Sequence, residues 1–307
     1  MEGVMNRETV KELIKNVQVP VVLKNICNWP LLNWTLDDWE KQMPSGNLAF
    51  RCNPVRPTRE PCWERNCQVK DLPFKKFIDI AKSDPKDWFY FDYKYVHQWF
   101  KADSEFSKQI KWDAFGFPEA GASESTLWVG SRGAHTPCHQ DTYGRNIVLQ
   151  VYGSKRWLLF PPDCGGMKPT RVPYEESSIY SQLNFHLPTD LTVMVVLEPG
   201  DVLVVPNRWW HYVEHVSQIG ITINSWIPTV CYFYVFLNNF VTAYYIRFQC
   251  KKFSRFQKFS FFCPLKYTFF KLPIFLTLVL FSHIGTSLLL YDGAFVSFWS
   301  LKKNSFY

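Results

Sequence analysis

The segment from residue 125 to residue 227 is a succession of short apolar stretches separated by glycine and proline, and this pattern limits the fold most strongly. The stretches have the length of strands rather than of helices. Short, regularly spaced strands predict a jelly roll or cupin-like barrel. The dipeptide Gly153-Ser154 between two of them predicts a tight hairpin. The predicted strands are Thr126–Gly130, Arg145–Val151, Arg156–Phe160, Thr192–Leu197, Asp201–Val205, His211–His215 and Gly220–Ile227.

Residues 1–124 mix helical and strand patterns. Predicted helices are Glu8–Val17, a helix capped by Thr35 that ends at Gln42, and Leu72–Lys82, while "PVVL" and Leu48–Asn53 are predicted strands. The chain is therefore predicted to be mainly β with flanking helices, an α+β fold. Residues 1–124 would supply the helices and first strands, residues 125–228 the β core, and residues 229–307 an atypical tail.

His139, Asp141 and His211 are the candidate metal ligands. The first two are two positions apart, and residues i and i+2 of a strand project from the same face. His211 follows the apolar stretch Val202–Val205. Two imidazoles and one carboxylate form a facial triad, which leaves open positions on a divalent metal and is the ligand set of non-haem Fe(II) oxygenases. A His-x-Asp pair alone is a weak signal, since an exposed turn can hold the same letters.

Longer phrases give that pair its context: "TPCHQD" with "LQVYGSKRWLLFPP", then "PGDVLVVPNRWWHYV" and "ITINSW". Together they resemble the JmjC family of 2-oxoglutarate-dependent oxygenases, and within it the small hydroxylases of the asparaginyl-hydroxylase and cupin-8 type. The resemblance covers the chain from Val19 to Pro228. It implies a double-stranded β-helix core, Fe(II) as the cofactor, and 2-oxoglutarate and O₂ as cosubstrates.

The resemblance also implies roles for single residues. His139, Asp141 and His211 match the iron ligands, and further positions match the cosubstrate pocket: Thr136, Lys155, Asn146 and Asn224. Lys155 would pair with the far carboxylate, because a buried dicarboxylate needs a cation and hydroxyl donors. The alternative is an exposed hairpin lysine, but the apolar stretch "WLLFPP" that follows at once favours the functional role. Asn146 follows Asp141 by five residues, where the family generally has four, so either a bulge absorbs the difference or Asn146 is displaced.

The implied reaction is hydroxylation of a substrate C–H bond, with succinate and CO₂ as coproducts. The substrate would be a protein side chain or, as the weaker alternative, a modified nucleotide of RNA. Residues 1–228 hold 25 basic and 26 acidic residues, so this body lacks the basic signature of a DNA-binding protein.

Two alternatives to an oxygenase stay open. The stretches "ESTLWVGSRGAHTPCHQDTYGRN" and "PTRVPYEESS" resemble a subgroup of the family that associates with small heat-shock proteins, which implies a non-catalytic binding protein on the same scaffold. The second alternative is a cupin that uses Zn(II) or Mn(II) without 2-oxoglutarate. Lys155 argues against it, because such a protein has no need of a buried cation opposite the metal.

Residues 229–307 differ sharply in composition from the body. They carry nine basic residues and one acidic residue, so the net charge of +7 comes from them. The charge-free run Leu272–Tyr291 is long enough to cross a bilayer. The alternatives are intron-derived sequence and a buried helical cap. The amphipathic helices with which the family often dimerises are missing here, so the oligomeric state stays open. The expected location is cytoplasmic, or membrane-anchored if the tail inserts.

The nine cysteines are scattered and include no C-x-x-C pair, and Cys62 and Cys67 form no recognisable motif. With an odd count and no cleavable signal peptide at the N-terminus, they are expected to be reduced intracellular thiols. His215 lies four residues beyond His211. Glu214 beside it predicts a solvated strand edge rather than another metal ligand.

Overall fold

The structure is a computed structural model that describes residues 6–55, 61–63, 66–169, 178–184, 192–228, 288–291 and 294–297. The chain forms two compact units, residues 1–248 and 249–307. The helices of the first unit are α1 Arg7–Asn16, α2 Leu36–Gln42, α3 Phe74–Lys82, α4 Val96–Trp99 and α5 Glu105–Gln109, with 3-10 turns at Pro30–Asn33, Trp112–Phe115 and Ala122–Glu124. Its strands are β1 Val21–Leu23, β2 Asn47–Pro54, β3 Gln68–Pro73, β4 Asp87–Tyr95, β5 Ser125–Ser131, β6 His135–Asp141, β7 Arg145–Tyr152, β8 Lys155–Phe160, β9 Ser178–Tyr180, β10 Val193–Leu197, β11 Val202–Val205, β12 Trp210–His215 and β13 Ile219–Ile227.

These strands form two sheets whose pairings are antiparallel wherever the structure describes them. The larger sheet has the order β1-β11-β7-β13-β5-β4-β2-β3, and the smaller has the order β10-β8-β12-β6-β9. From β5 to β8, and again from β10 to β13, successive strands alternate between the two sheets. This alternation is the winding of a jelly roll, so the predicted fold class, mainly β with flanking helices, is confirmed.

The predicted hairpin at Gly153-Ser154 is wrong. The partners of β7 are β11 and β13, whereas those of β8 are β10 and β12, so the two strands belong to different sheets. Gly153 has φ of +60°, and a Cβ there would collide with the carbonyl oxygen of Ile219. The tight turn therefore carries the chain from one sheet to the other instead of folding it back on the same sheet.

Alternate residues of the larger sheet face two different cores. Along β7, Ile147 and Leu149 pack in the core that also holds residues of the N-terminal helices, such as Ile14 and Phe77. Val148 between them packs in the core between the two sheets. That inter-sheet core contains side chains from both sheets: Val148, Trp157, Leu159, Leu197, Leu203, Val205, Trp209 and Val213.

The N-terminal elements follow their local signals closely. Thr35 and Asp38 form a capping box, in which the Thr35 hydroxyl accepts from the backbone N–H of Asp38 and the Asp38 carboxylate accepts from that of Thr35. The helix predicted from Leu72 begins at Phe74, because the preceding residues form β3 on the edge of the larger sheet. Strands β4 and β5 pair, so residues before and after position 125 share one sheet.

In the second unit, the strands β14 Leu288–Tyr291 and β15 Ala294–Ser297 form an antiparallel pair. Most of the run Leu272–Tyr291 lies outside the described residues, and so do residues 229–287 as a whole. The explanations offered for the tail, and the predicted division at residue 229, stay predictions. Among the described residues, no helix combines the length and apolar character needed to cross a bilayer.

Candidate metal centre

His139, Asp141 and His211 meet on neighbouring strands of the smaller sheet. His139 on β6 is the cross-strand partner of His211 on β12, and Asp141 lies two residues along β6 on the same face. Nε2 of His139 is 3.7 Å from Asp141 Oδ1, and Nε2 of His211 is 3.7 Å from Oδ2. All three donor atoms lie within 4.8 Å of one another, so together they could hold a metal ion.

Both histidines are held with one ring nitrogen directed at the carboxylate. Nδ1 of His139 is 2.8 Å from the carbonyl oxygen of Pro137, and Nδ1 of His211 is 3.0 Å from that of Trp209. A carbonyl oxygen only accepts, so Nδ1 carries the proton and Nε2 keeps its lone pair, as a metal ligand requires. Burial and the neighbouring His211 lower the pKa of His139 to about 3, so its ring is neutral at physiological pH.

A chain of hydrogen bonds fixes the Asp141 carboxylate. Its Oδ2 accepts from Nδ2 of Asn146 at 2.9 Å and from the indole Nε1 of Trp226 at 3.0 Å. Asn146 in turn accepts from Nδ2 of Asn224 at 2.8 Å, and Asn224 accepts from Nε1 of Trp128 at 2.7 Å. Burial works to raise the pKa of Asp141, yet the two histidines and these donors together hold it below its ordinary value.

Asn146 is not displaced from the centre, despite the five-residue spacing after Asp141. The bend at residues 142–144 absorbs the extra residue, and β7 begins at Arg145. Asn146 then points at the carboxylate and is 6% exposed. The Asn146 side chain therefore lies at the centre rather than displaced from it. The role of Asn146 stays a prediction.

Lys155 is buried rather than exposed on a hairpin, with only 3% of its surface accessible. Its Nζ is 3.1 Å from the hydroxyl oxygen of Tyr90, which also has a side-chain hydrogen bond with Thr136. Burial lowers the pKa of Lys155 to about 7, and Asp92 opposes that shift. Asp92 itself is paired with Arg51 at 2.6 Å. Within the described residues, Lys155 thus has no carboxylate at salt-bridge distance.

One cavity of about 380 Å³, counted with its opening to solvent, brings these groups together. All seven candidate residues line it: Thr136, His139, Asp141, Asn146, Lys155, His211 and Asn224. Sequence reasoning missed its aromatic wall, which consists of Tyr90, Tyr93, Trp128, Trp157 and Trp226. The cavity therefore combines a metal-binding cluster, a buried lysine without a carboxylate partner among the described residues, and apolar walls, as small-molecule sites commonly do.

Tyr93 reaches this cavity through an irregularity of β4. The pairing of β4 with β5 shifts register between Phe91 and Lys94, and Tyr93 has φ of +57°. A non-glycine residue in the left-handed region inside a strand is uncommon and favours a bulge that redirects the side chain. Its ring packs 4.9 Å from that of Trp128 and 6.0 Å from that of Trp226. The aromatic letters of "FYFDYKYV" were the available signal, but they do not locate a bulge.

The prediction of a solvated edge at His215 is wrong. The residue is fully buried, and its ring contacts that of Tyr90 edge-on at 5.2 Å. Gly130 and Gly220 flank it on β5 and β13, where a Cβ on either glycine would collide with the imidazole. Neither ring nitrogen has a hydrogen-bond partner within the described residues. Burial, and then Lys155, keep the pKa of His215 well below its ordinary value, so the ring is neutral.

Known proteins share this sequence pattern. A family model described as a cupin-like domain matches residues 7–231. HSPB1-associated protein 1 of Mus musculus is 40% identical over 244 residues, which cover 72% of this chain and 50% of that protein. The Homo sapiens protein of the same name is 39% identical with the same coverage. The 2-oxoglutarate and iron-dependent oxygenase JMJD4 of Gallus gallus is 25% identical over 197 residues, covering 53% of this chain and 45% of that protein. The chain spans about half the length of the curated relatives it matches.

Proposed function

The chain belongs to the cupin-like domain family of the JmjC type, and on that premise we propose that it is an Fe(II)- and 2-oxoglutarate-dependent oxygenase. The observation that carries the proposal is Lys155, a buried lysine with no carboxylate partner among the described residues, in the cavity of the candidate metal centre. An unpaired buried cation is costly, so it is explained best by an anionic ligand. A Zn(II) or Mn(II) protein without 2-oxoglutarate would not need it.

His139, Asp141 and His211 would hold the Fe(II). Two imidazoles and one carboxylate suit a divalent ion, and a set of three leaves positions free for a chelating cosubstrate and O₂. The backbone carbonyls behind both rings and the donors on Asp141 keep the three ligands oriented before the metal arrives. This pre-orientation supports a metal site over an incidental cluster.

Lys155 would bind the far carboxylate of 2-oxoglutarate. The hydroxyls of Thr136 and Tyr90 lie beside its ammonium group and would complete the anion site. Asn146 and Asn224 line the same cavity through the hydrogen-bond chain that ends on Asp141. We assign these two amides to positioning, because their polar contacts lead to the ligand carboxylate.

When bound, Fe(II) with 2-oxoglutarate and O₂ supplies the oxidation of a substrate C–H bond, with succinate and CO₂ as coproducts. The chain's own residues bind and orient the cosubstrate and exclude water from the cavity. Trp128 and Trp157 wall the cavity and strengthen the electrostatic contact of Lys155 with an anion by lowering the local dielectric constant. The substrate class that fits the nearly neutral body is a protein side chain, ahead of RNA.

The test is succinate release from 2-oxoglutarate by the Fe(II)-loaded full chain. The wild-type protein should convert 2-oxoglutarate to succinate at least slowly without the protein substrate, because the cosubstrate reaction needs only the metal centre. Asp141→Ala should abolish turnover and Fe(II) binding. Lys75→Met, which removes an exposed lysine that faces Glu40, should leave both unchanged. Succinate release by Asp141→Ala at the wild-type rate would refute the assignment.

A second candidate function is a binding protein that engages a small heat-shock protein. The observation that favours it is the name shared by the relatives of about 40% identity, HSPB1-associated protein 1. It separates from the oxygenase by one comparison: binding of purified HSPB1 to the wild-type chain and to Asp141→Ala. If both proteins bind HSPB1 equally and the wild-type chain releases no succinate, the binding protein is favoured. Succinate release with no HSPB1 binding would remove this candidate.

A further inference from the structure

Two thiols that the proposed function does not use face each other beside β3. The sulfurs of Cys62 and Cys67 are 3.3 Å apart, although four residues separate them in the chain. Cys62 is 6% exposed and Cys67 is partly exposed. A disulfide needs a sulfur–sulfur distance of about 2.0 Å, so a local closure would join them.

Both sulfurs accept hydrogen bonds from groups that stabilise negative charge. Nδ2 of Asn53 donates to the Cys62 sulfur at 2.8 Å, and the Arg51 guanidinium donates to the Cys67 sulfur at 3.3 Å. The hydrogen bond from Cys67 is the main reason that the pKa of Cys62 falls to about 6, while that of Cys67 is raised. The pair thus places a thiolate next to a thiol, which is the arrangement that thiol–disulfide chemistry requires.

Three of the other described cysteines differ from this pair. Burial is the main cause that raises the pKa of Cys27 to about 11 and also raises those of Cys52 and Cys138. Raised pKa values leave these thiols protonated and unreactive. Among these five thiols, Cys62 is thus the one whose pKa is lowered, and the Cys67 sulfur lies within reach of it.

We propose that Cys62 and Cys67 form a redox-active dithiol that a small hydroperoxide converts into an intramolecular disulfide. The Cys62 thiolate attacks the terminal peroxide oxygen, the O–O bond breaks, and hydroxide or an alkoxide leaves with the electron pair. The Cys67 sulfur then attacks the sulfenic sulfur, the S–S bond forms, and the oxygen leaves with the Cys67 proton as water. Two thiols are oxidised, and one hydrogen peroxide is reduced to two waters.

A single side chain, that of Arg51, lies between the dithiol and Tyr90 in the wall of the metal-centre cavity. Arg51 contacts Cys67 through its guanidinium, pairs with Asp92 at 2.6 Å and packs over the Tyr90 ring at 5.6 Å. Tyr90 is the residue whose hydroxyl contacts Lys155. The modification site is nevertheless separate from the proposed oxygenase, so it can be tested without Fe(II) or 2-oxoglutarate.

Trypsin provides the readout, because it cuts after Arg59, Arg65 and Lys70 and so places the two cysteines on different peptides, 60–65 and 66–70. The folded, reduced, metal-free full chain is treated with one equivalent of hydrogen peroxide, blocked with an alkylating reagent and digested. The expected result is a cross-linked peptide pair lighter than its two parts by two hydrogens, which a reductant separates again. Protein unfolded in urea before the peroxide step should give far less of this pair.

The controls fix the assignment to this pair. Cys164→Ser removes a partly exposed thiol elsewhere and should leave the yield of the cross-linked pair unchanged. Cys67→Ser should instead leave a sulfenic acid at position 62 that a dimedone-type reagent traps. Recovery of both peptides alkylated and unlinked from the folded wild-type chain, at peroxide levels that oxidise its other thiols, would overturn the proposal. This readout on wild-type protein does not depend on whether the variants fold.

Discussion

Asp141 is the residue on which the polar contacts of the centre converge. Its carboxylate lies 3.7 Å from the Nε2 atoms of both histidines and accepts two side-chain hydrogen bonds on Oδ2. A buried carboxylate is costly unless it is hydrogen-bonded or paired, and these contacts offset that cost. The same contacts fix the direction of its lone pairs. The geometry of the centre therefore depends on the groups behind Asp141 as much as on the three candidate ligands.

Trp226→Phe tests the support of Asp141. The change removes one indole N–H that donates to Oδ2 but keeps an aromatic ring. Loss of such a supporting contact weakens metal binding by about 10-fold to 100-fold. The affinity for Mn(II), measured by titration with electron paramagnetic resonance, should fall by that amount. Trp29→Phe is the matched control, because its indole donates to the Lys111 carbonyl in another part of the fold. Equal Mn(II) affinity in both variants would contradict the prediction.

Lys155 predicts how cosubstrate affinity depends on pH. Its pKa is lowered to about 7 in the free protein, mainly by burial, and a bound carboxylate would favour the charged form and raise it. Between these two pKa values binding takes up a proton. The Kd for 2-oxoglutarate should therefore be constant below about pH 7 and rise about tenfold per pH unit above it.

The control for this pH dependence is Lys155→Arg, which stays charged at every accessible pH. Titrations of the anaerobic Fe(II) protein from roughly pH 6 to 9 would measure both proteins. The variant should bind less tightly at neutral pH but lose the steep increase of Kd. The same slope in both proteins would mean that another group titrates.

Part of the candidate site could be predicted from the sequence together with its family resemblance. His139, Asp141, His211 and Lys155 stand in recognisable phrases, because metal and anion binding restrict residue type and spacing. Tyr90 and its neighbours in the aromatic wall gave no such signal. They reach the cavity through strand pairings that join distant parts of the chain, and a local pattern does not contain those pairings.

At the level of elements, the turns between the sheets shape the site as much as the strands. β6 and β12 bring the three candidate ligands together, while β8 supplies Lys155 directly opposite His215 of β12. His215 fits only because its neighbours on β5 and β13 are glycines. The packing of the strands around the cavity thus depends on the size of single side chains at facing positions.

Gly220→Ala tests this match. The new Cβ would collide with Nδ1 of His215, and overpacking of this kind costs about 1–3 kcal/mol of unfolding free energy. Urea denaturation should show that loss for Gly220→Ala. Gly165→Ala, where a Cβ meets nothing within 4 Å, should change stability little. The double variant His215→Ala with Gly220→Ala should be less destabilised than the sum of its single changes. Strict additivity would contradict the proposed contact.

Strand positions were predictable, whereas strand partners were not. The strands predicted after residue 125 are present within one residue of their predicted bounds, because glycine and proline mark their ends, whereas β6 and β9 were not among the predicted ranges. Gly153-Ser154 was misinterpreted because a two-residue turn has the same sequence whether it joins two hydrogen-bonded strands or carries the chain from one sheet to the other. β3 was missed because its residues are largely exposed and show no apolar alternation, so only its pairing with β2 defines it.

On the scale of the whole molecule, the candidate functions belong to the first compact unit. The cupin-like match ends at residue 231, and the described residues of the site all precede Pro228. The tail carries the net positive charge of the chain, while the body is nearly neutral. The described residues that line the site therefore all come from the nearly neutral body, and a test of function has to address the metal centre directly.

The most direct test is the visible absorption of the full chain under anaerobic conditions, with Fe(II) added first and 2-oxoglutarate second. A weak metal-to-ligand charge-transfer band should appear only after both additions, because it requires the 2-oxo acid to chelate an iron held by the protein. Lys155→Met should weaken the band strongly at the same cosubstrate concentration, and Lys75→Met should leave it unchanged. A folded protein that binds Fe(II) but shows no band at saturating 2-oxoglutarate would contradict the account.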